Sequence, residues 1–251
     1  MKRKFLSVCI CLCLIAPVLP AAITAAGAES GVFVGEQEVT DGGYWTYSGG
    51  EWSAGNESGY NVHYDKSTAT LTLKDFTYAG NGNNGTDTAV SSVGSLTLEL
   101  IGENSITVSD GDNEGNGKNF GVYAEGNLTV TGTGSLNAVS GVVETAGASL
   151  SCGIYATGTT TFAEGVTVTA SSGDVIGSGN NSIAVSAGVY SMRALTVESG
   201  ASVSGTGGVP DRYSSSGGIY AMSQVTVCGT LQGTGGTASD DKINTTQTAR
   251  E

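Results

Sequence analysis

The chain predicts an all-β fold, a right-handed parallel β-helix of five to six coils behind an aromatic-rich N-terminal cap. Three observations lead there. A core of about 21 residues recurs as GVYAEGNLTVTGTGSLNAVSG from 121, GIYATGTTTFAEGVTVTASSG from 153, GVYSMRALTVESGASVSGTGG from 188 and GIYAMSQVTVCGTLQGTGG from 218. Within each core, apolar and polar residues alternate in three short runs separated by glycine-bearing corners. Gly accounts for 40 of 251 residues and no long helix-period pattern occurs, which suits many short strands joined by tight turns.

Aligning Gly121, Gly153, Gly188 and Gly218 gives spacings of 32, 35 and 30 residues, and AVSSVGSLTLELIGENSITVSDG from Ala89 adds a copy 32 residues upstream. The variation falls in the tails between cores, as in a solenoid where one loop per turn tolerates insertion. The first strand turns Val90, Val122, Ile154, Val189 and Ile219 inward, with Ser92, Ala124, Ala156, Ser191 and Ala221 two residues on. The second brings in Leu96, Leu128, Thr160, Leu195 and Val225, then Leu98, Val130, Phe162, Val197 and Val227. The third contributes Leu136, Val166, Val168 and Val203, for which the first copy offers Ile106 and Val108 after a two-residue insertion. Stacked columns bury what no single copy can bury alone, at roughly 1.5–3 kcal/mol per large aliphatic side chain. Parallel crossovers wind right-handed. A sandwich or propeller is the rival architecture, but the cores lack Asn-Gly or Asp-Gly turns at regular places. The regular alternation also speaks against low-complexity disorder.

The remaining segments follow from composition. Residues 1–28 begin with Lys2, Arg3 and Lys4, continue through an apolar run from Phe5 to about Leu19 and end in small residues, which is a secretory signal with cleavage after Ala28. Pro17, Pro20 and the short apolar run argue against a permanent membrane anchor. Cys9, Cys11 and Cys13 lie inside that run, away from a lipidation site. Residues 29–80 hold the cap and first strands: both tryptophans, Trp45 and Trp52, with Tyr44, Tyr47, Tyr60 and Tyr64, placed where an open coil end would otherwise expose strand edges. Inside it, YNVHYDKSTATLTLKDFTY reads as a strand, a turn at 65–68 and a strand with Leu71 and Leu73 inward. The repeats fill 81–236 and a tail runs over 237–251.

Without the signal the chain carries seven basic against 23 acidic residues, a net charge of −16. Such a surface repels nucleic acid and anionic membranes, and it is compatible with cation binding or with solubility outside the cell. Cys152 and Cys228 fall at different points of the repeat, so no disulfide between them is expected.

The signal segment, the run YDKSTATLTLKDFTY, SLTLELIGENSITV and the tandem GIYA coils together resemble the β-helical carbohydrate-binding-domain proteins secreted by Gram-positive gut and soil bacteria, non-catalytic solenoids of pectate-lyase-like form. The resemblance covers nearly all of the mature chain. It implies a secreted or surface-associated protein whose partner is a polysaccharide or cell-wall glycan, and some members bind acidic plant polysaccharide with calcium. Its motifs are those of the repeat and carry over no binding residue. Beyond Gly236 the sequence offers neither a further coil nor an apolar cap. Either the tail is disordered over a weakly covered last coil, or the chain is shorter than its relatives.

Two residue sets are candidate sites. Tyr123, Tyr155, Tyr190 and Tyr220, with Ser91 in the first copy, form an outward column at coil spacing, about 4.8 Å. Such a stripe offers a platform for sugar rings; the alternative is a self-stacked ladder roofed by the loops at 142–152, 174–187 and 209–217. Asp110, Asp112 and Glu114 alternate before Gly115 like the first half of a calcium loop, but Gly121 stands where its closing Glu belongs, so Ca2+ competes with a plain solvated turn. His63 is the only histidine, which removes His-based catalysis and zinc clusters. Arg193 or Arg212 beside Glu198 and Asp174 would be the material for polysaccharide cleavage, and nothing in their spacing marks a catalytic arrangement. The reading is therefore a non-catalytic carbohydrate-binding protein, or in second place a structural or adhesive cell-surface stalk.

Overall fold

The computed structural model describes residues 31–83, 87–112, 117–145, 147–177, 184–209, 214–236 and 248–249. Every regular element among them is a strand, and the strands stack as a parallel β-solenoid. First strands are Thr88–Ser92, Lys118–Ala124, Ser149–Ala156, Ala184–Ser191 and Ser214–Ala221; second strands are Leu96–Ile101, Leu128–Gly132, Thr160–Phe162, Leu195–Val197 and Val225–Val227. Third strands are Glu103–Val108, Ser135–Val139, Thr167–Ser171, Ser202–Thr206 and Thr230–Thr234. Strands of one kind pair in parallel register into one sheet each, so Val122 lies on Ile154 and Ile154 on Val189. In the second sheet Val130 lies on Phe162 and Phe162 on Val197. All six of these side chains are fully buried.

The five copies step through about four turns, fewer than the five to six coils expected. The reason is that residues 31–80 do not close a coil. They add one layer to each sheet: Val32–Val34 pairs antiparallel with Thr88–Ser92, whereas Thr70–Lys74 and Thr77–Gly80 pair in parallel with Leu96–Ile101 and Glu103–Val108. The hairpin of Tyr44–Ser48 and Glu51–Ala54 extends the second sheet. Tyr47 and Trp52 rings meet at 4.8 Å, and Tyr47 reaches Phe76 at 5.9 Å and Tyr78 at 5.5 Å. The expected turn is present. The Asp65 carboxylate accepts from Ser67 N at 2.8 Å and Thr68 Oγ1 at 3.0 Å, and Leu71 and Leu73 beyond it are buried.

The two-residue insertion expected in the first third strand is absent. Asn104 aligns with Leu136, and Ile106 aligns with Ala138. A buried amide therefore stands in an apolar column, which the polarity pattern alone misplaces. It is satisfied: Asn104 Oδ1 accepts from Phe76 N at 3.0 Å, and Nδ2 donates to Ile101 O at 3.2 Å and Ser135 O at 3.1 Å.

A polar column lies two residues before the glycine in the four first strands that carry one. Asn119, Ser151, Ser186 and Ser216 stack in register. Asn119 Nδ2 donates to Ser109 O at 2.7 Å while its Oδ1 accepts from Gly141 N at 2.8 Å. Ser186 donates to Gly173 O at 3.0 Å and accepts from Gly208 N at 2.7 Å, and Ser216 likewise bridges Gly208 O and Gly236 N. These side chains satisfy backbone groups where the chain leaves the third strand, a place the ladder of strand hydrogen bonds does not reach.

The repeated glycine of the GIYA motif has a packing cause. A Cβ on Gly153 would sit 2.8 Å from Ala138 O, 2.8 Å from Ser171 N and 2.9 Å from Gly188 O, all main-chain atoms of neighbouring strands. First and third strands approach too closely there for a side chain. Gly153→Ala is thus expected to destabilise the solenoid by about 1–3 kcal/mol through overpacking, read as a lower denaturation midpoint. An unchanged midpoint would show that the backbones separate freely.

Candidate functional site

The tyrosine column forms as predicted and points outward, but its geometry is that of a ladder. Tyr155 lies between Tyr123 at 5.7 Å and Tyr190 at 5.3 Å, with interplanar angles of 18° in both cases; Tyr190 meets Tyr220 at 5.7 Å and 41°. Phe120 stacks on Tyr123 and Tyr155, and Cys152 and Ala187 complete a second small core outside the main one. Leu150 and Val185, near the starts of their first strands, pack against it. The rings stack on one another, Tyr155 is only 8% exposed, and its hydroxyl donates to Met192 Sδ at 2.9 Å.

Gly111–Asp112, Val143–Thr145 and Val175–Gly177 form a short parallel sheet of their own in the loops that lead to the first strands. Other parts of the loops 142–152, 174–187 and 209–217 lie outside the described residues.

Burial pushes the Tyr155 hydroxyl up to about 12 from an ordinary value of 10.0, with Cys152 and the neighbouring tyrosines adding to it. The fold favours the neutral phenol, so this contribution to stability is complete below pH 10 and is lost as pH rises through about 12. Denaturant titrations across that range should show an alkaline decline that is smaller in Tyr155→Phe. An identical decline in both proteins would place the titrating group elsewhere.

Of the calcium candidates, Asp110 is an exposed corner residue whose Oδ1 accepts from Val142 N of the next coil at 2.8 Å. Asp174 repeats this contact with Val209 N at 2.7 Å, so one oxygen of each carboxylate already serves the solenoid. The side chains of Asp112 and Glu114 lie outside the described residues, and among the described residues no group of three His, Cys, Asp or Glu gathers around a cation position.

Glu198 accepts from Glu164 N at 3.3 Å, on a different corner from Asp174, and Arg212 lies outside the described residues. His63 is structural in setting: Nδ1 is 2.8 Å from Gly43 O and its ring stacks on Tyr44 at 4.1 Å. Cys152 and Cys228 are both free thiols, one buried and one exposed. Burial raises the Cys152 thiol far above its usual range, which leaves it unreactive.

A different feature offers a binding surface. Three open pockets adjoin, each sharing lining residues with the next, and together form a trough that runs from the N-terminal hairpin onto the outer face of the third sheet. The first, about 210 Å³, is lined by Glu36, Trp52 and Asn81, and shares Tyr47 and Gly50 with the next. That second pocket, about 570 Å³, lies beneath the hairpin turn, holds Asn61 and Asp75, and shares Thr77 with the third. The third, about 340 Å³, crosses coils over Glu103, Ser105, Ser135, Asn137, Thr167 and Thr169. Tyr47 and Trp52 are partly exposed at its head. Registered pairing places Ser105, Asn137 and Thr169 side by side, one per coil. The sequence holds this signal in its alternating Ser, Thr and Asn residues, but nothing in one dimension joins those rows to the N-terminal aromatics.

Comparisons of the chain with family models, with curated proteins and with solved structures found no match. Among the described residues no helix is long and apolar enough to cross a membrane.

Proposed function

We propose that the protein is a secreted, non-catalytic β-solenoid that binds carbohydrate, in keeping with the Gram-positive family it resembles, and that the glycan lies in the trough on the third sheet. The observation that carries this reading is the union of a partly exposed Tyr47–Trp52 pair with rows of Ser, Asn and Thr repeated at coil spacing. Aromatic faces suit the apolar faces of pyranose rings, and hydroxyl and amide groups supply hydrogen bonds that fix orientation. A rigid parallel sheet repeats them at about 4.8 Å, so an extended chain meets the same groups again along its length. A calcium ion held by Asp110, Asp112 and Glu114 would tie the first two coils together. It would raise the melting midpoint, and Asp112→Ala should remove the rise.

A glycan array with the mature protein tests the reading. Trp52→Ala should weaken the best ligand at least tenfold, about 1.4 kcal/mol, with the coils still folded by circular dichroism. Binding to no glycan would favour the surface-stalk reading, and retained binding in Trp52→Ala would move the site off the trough.

A further inference from the structure

The charge of the trough bears on which glycan it takes, an inference that rests on the carbohydrate reading above. Each of its three sections contains one carboxylate: Glu36 beside Trp52, Asp75 beneath the hairpin, Glu103 on the third sheet. All three are exposed. Asp75 and Glu103 are neighbours, since Asp75 Oδ1 accepts from Glu103 N at 3.1 Å. Among the described residues no Lys or Arg lines any section. The adjacent Lys74 is turned to another face, with Nζ 5.3 Å from the Tyr60 ring centroid. The chain as a whole carries −13, so its far field has the sign of the trough.

We propose that the trough selects an amine-bearing glycan, a chain of amino sugars with free ammonium groups, and rejects uronate chains. Tyr47 and Trp52 take the ring face of a sugar at the head, and Glu36, Asp75 and Glu103 pair with ammonium groups of successive residues. A uronate polymer would bring carboxylates against carboxylates with no cation in the wall to offset them. This is the opposite of the acidic polysaccharide that the family resemblance implies, so the two separate cleanly in one experiment. Exposed ion pairs are individually weak and screened by salt, so selectivity comes from several sites on one chain and fades as ionic strength rises.

The test is calorimetric titration of the mature protein with short glucosamine oligomers, their N-acetylated counterparts, neutral glucan oligomers and oligogalacturonate with and without calcium. Free amines should bind about tenfold more tightly than the acetylated form at low salt, and the gap should close at high salt. Glu36→Gln with Glu103→Gln should bring the amine form to the acetylated level without changing the melting midpoint. The double change Glu125→Gln with Glu144→Gln, equal in charge but away from the trough, should leave binding as it was. Equal or tighter binding of neutral or uronate oligomers overturns the selectivity and leaves carbohydrate binding standing. Loss of amine binding in the distant double variant equally overturns it, because general charge would then be the cause. Binding to none of the oligomers overturns the selectivity, and the glycan array then decides whether carbohydrate binding stands.

Discussion

Ile154→Asp is expected to abolish the folded solenoid. Ile154 is fully buried in the first strand of the third copy, between Val122 below and Val189 above. An aspartate there enters a dry apolar column with no cationic partner, and the penalty for an unpaired buried carboxylate, even after it takes up a proton, is several kcal/mol. A domain of this size has only about 5–15 kcal/mol to lose. Because each coil is stabilised mainly by its neighbours, a break in the middle copy removes contacts on both sides. Ile154→Val, which deletes one methylene from the same site, should cost about 0.5–1.5 kcal/mol and retain the cooperative transition. Circular dichroism and denaturant melts distinguish the cases. An Asp variant melting like the parent would mean that this face is not inside.

The second large effect is expected at Asn104. Its amide joins three backbone groups: Phe76 in the N-terminal layer, Ile101 in its own coil and Ser135 in the next. Asn104→Ala takes this partner from the buried Phe76 N–H and from the Ser135 carbonyl, while Ile101 O keeps the Asp75 N–H at 3.0 Å, and a loss of about 2–3 kcal/mol is expected. The variant Asn104→Leu restores the aliphatic character seen at Leu136 but keeps the orphaned groups, so it separates packing from hydrogen bonding. If Leu rescues stability fully, packing dominates and the amide is replaceable. If Leu is as poor as Ala, the amide is the tie between the N-terminal layer and the coils. Hydrogen exchange at Phe76 N reads this directly, with faster exchange expected in both variants.

The main architecture was legible because a solenoid writes its interior into the sequence as columns. Val90, Val122, Ile154, Val189 and Ile219 recur at one position of each copy, and in the structure they stack in register. The turn at 65–68 was legible because Asp, Ser and Thr side chains hydrogen-bond their own local backbone. The register of the first third strand was misplaced by two residues because the polar Asn104 in an apolar column looks like a break in the pattern, and its three backbone partners make it tolerable inside. The GIYA glycine was visible as a repeat but not as a steric necessity, since its reason lies in strands about 15 residues away in sequence, at Ala138 and Ser171.

What the sequence determined by itself is the fold class, the parity of the coil columns and the outward direction of Tyr123, Tyr155, Tyr190 and Tyr220; Val225, expected inside, is 45% exposed because it lies in the last coil. These depend on residue type and on a period of two, which are local properties. The tertiary structure alone decided what those tyrosines face. Parity says outward, but whether a ring face meets solvent or the next ring depends on the distance between coils, and here that distance stacks them. It also decided that Tyr47, Trp52, Asp75 and Glu103 share one trough with Asn137 and Thr169, because chain segments far apart in sequence become neighbours only when Thr77–Gly80 pairs with Glu103–Val108.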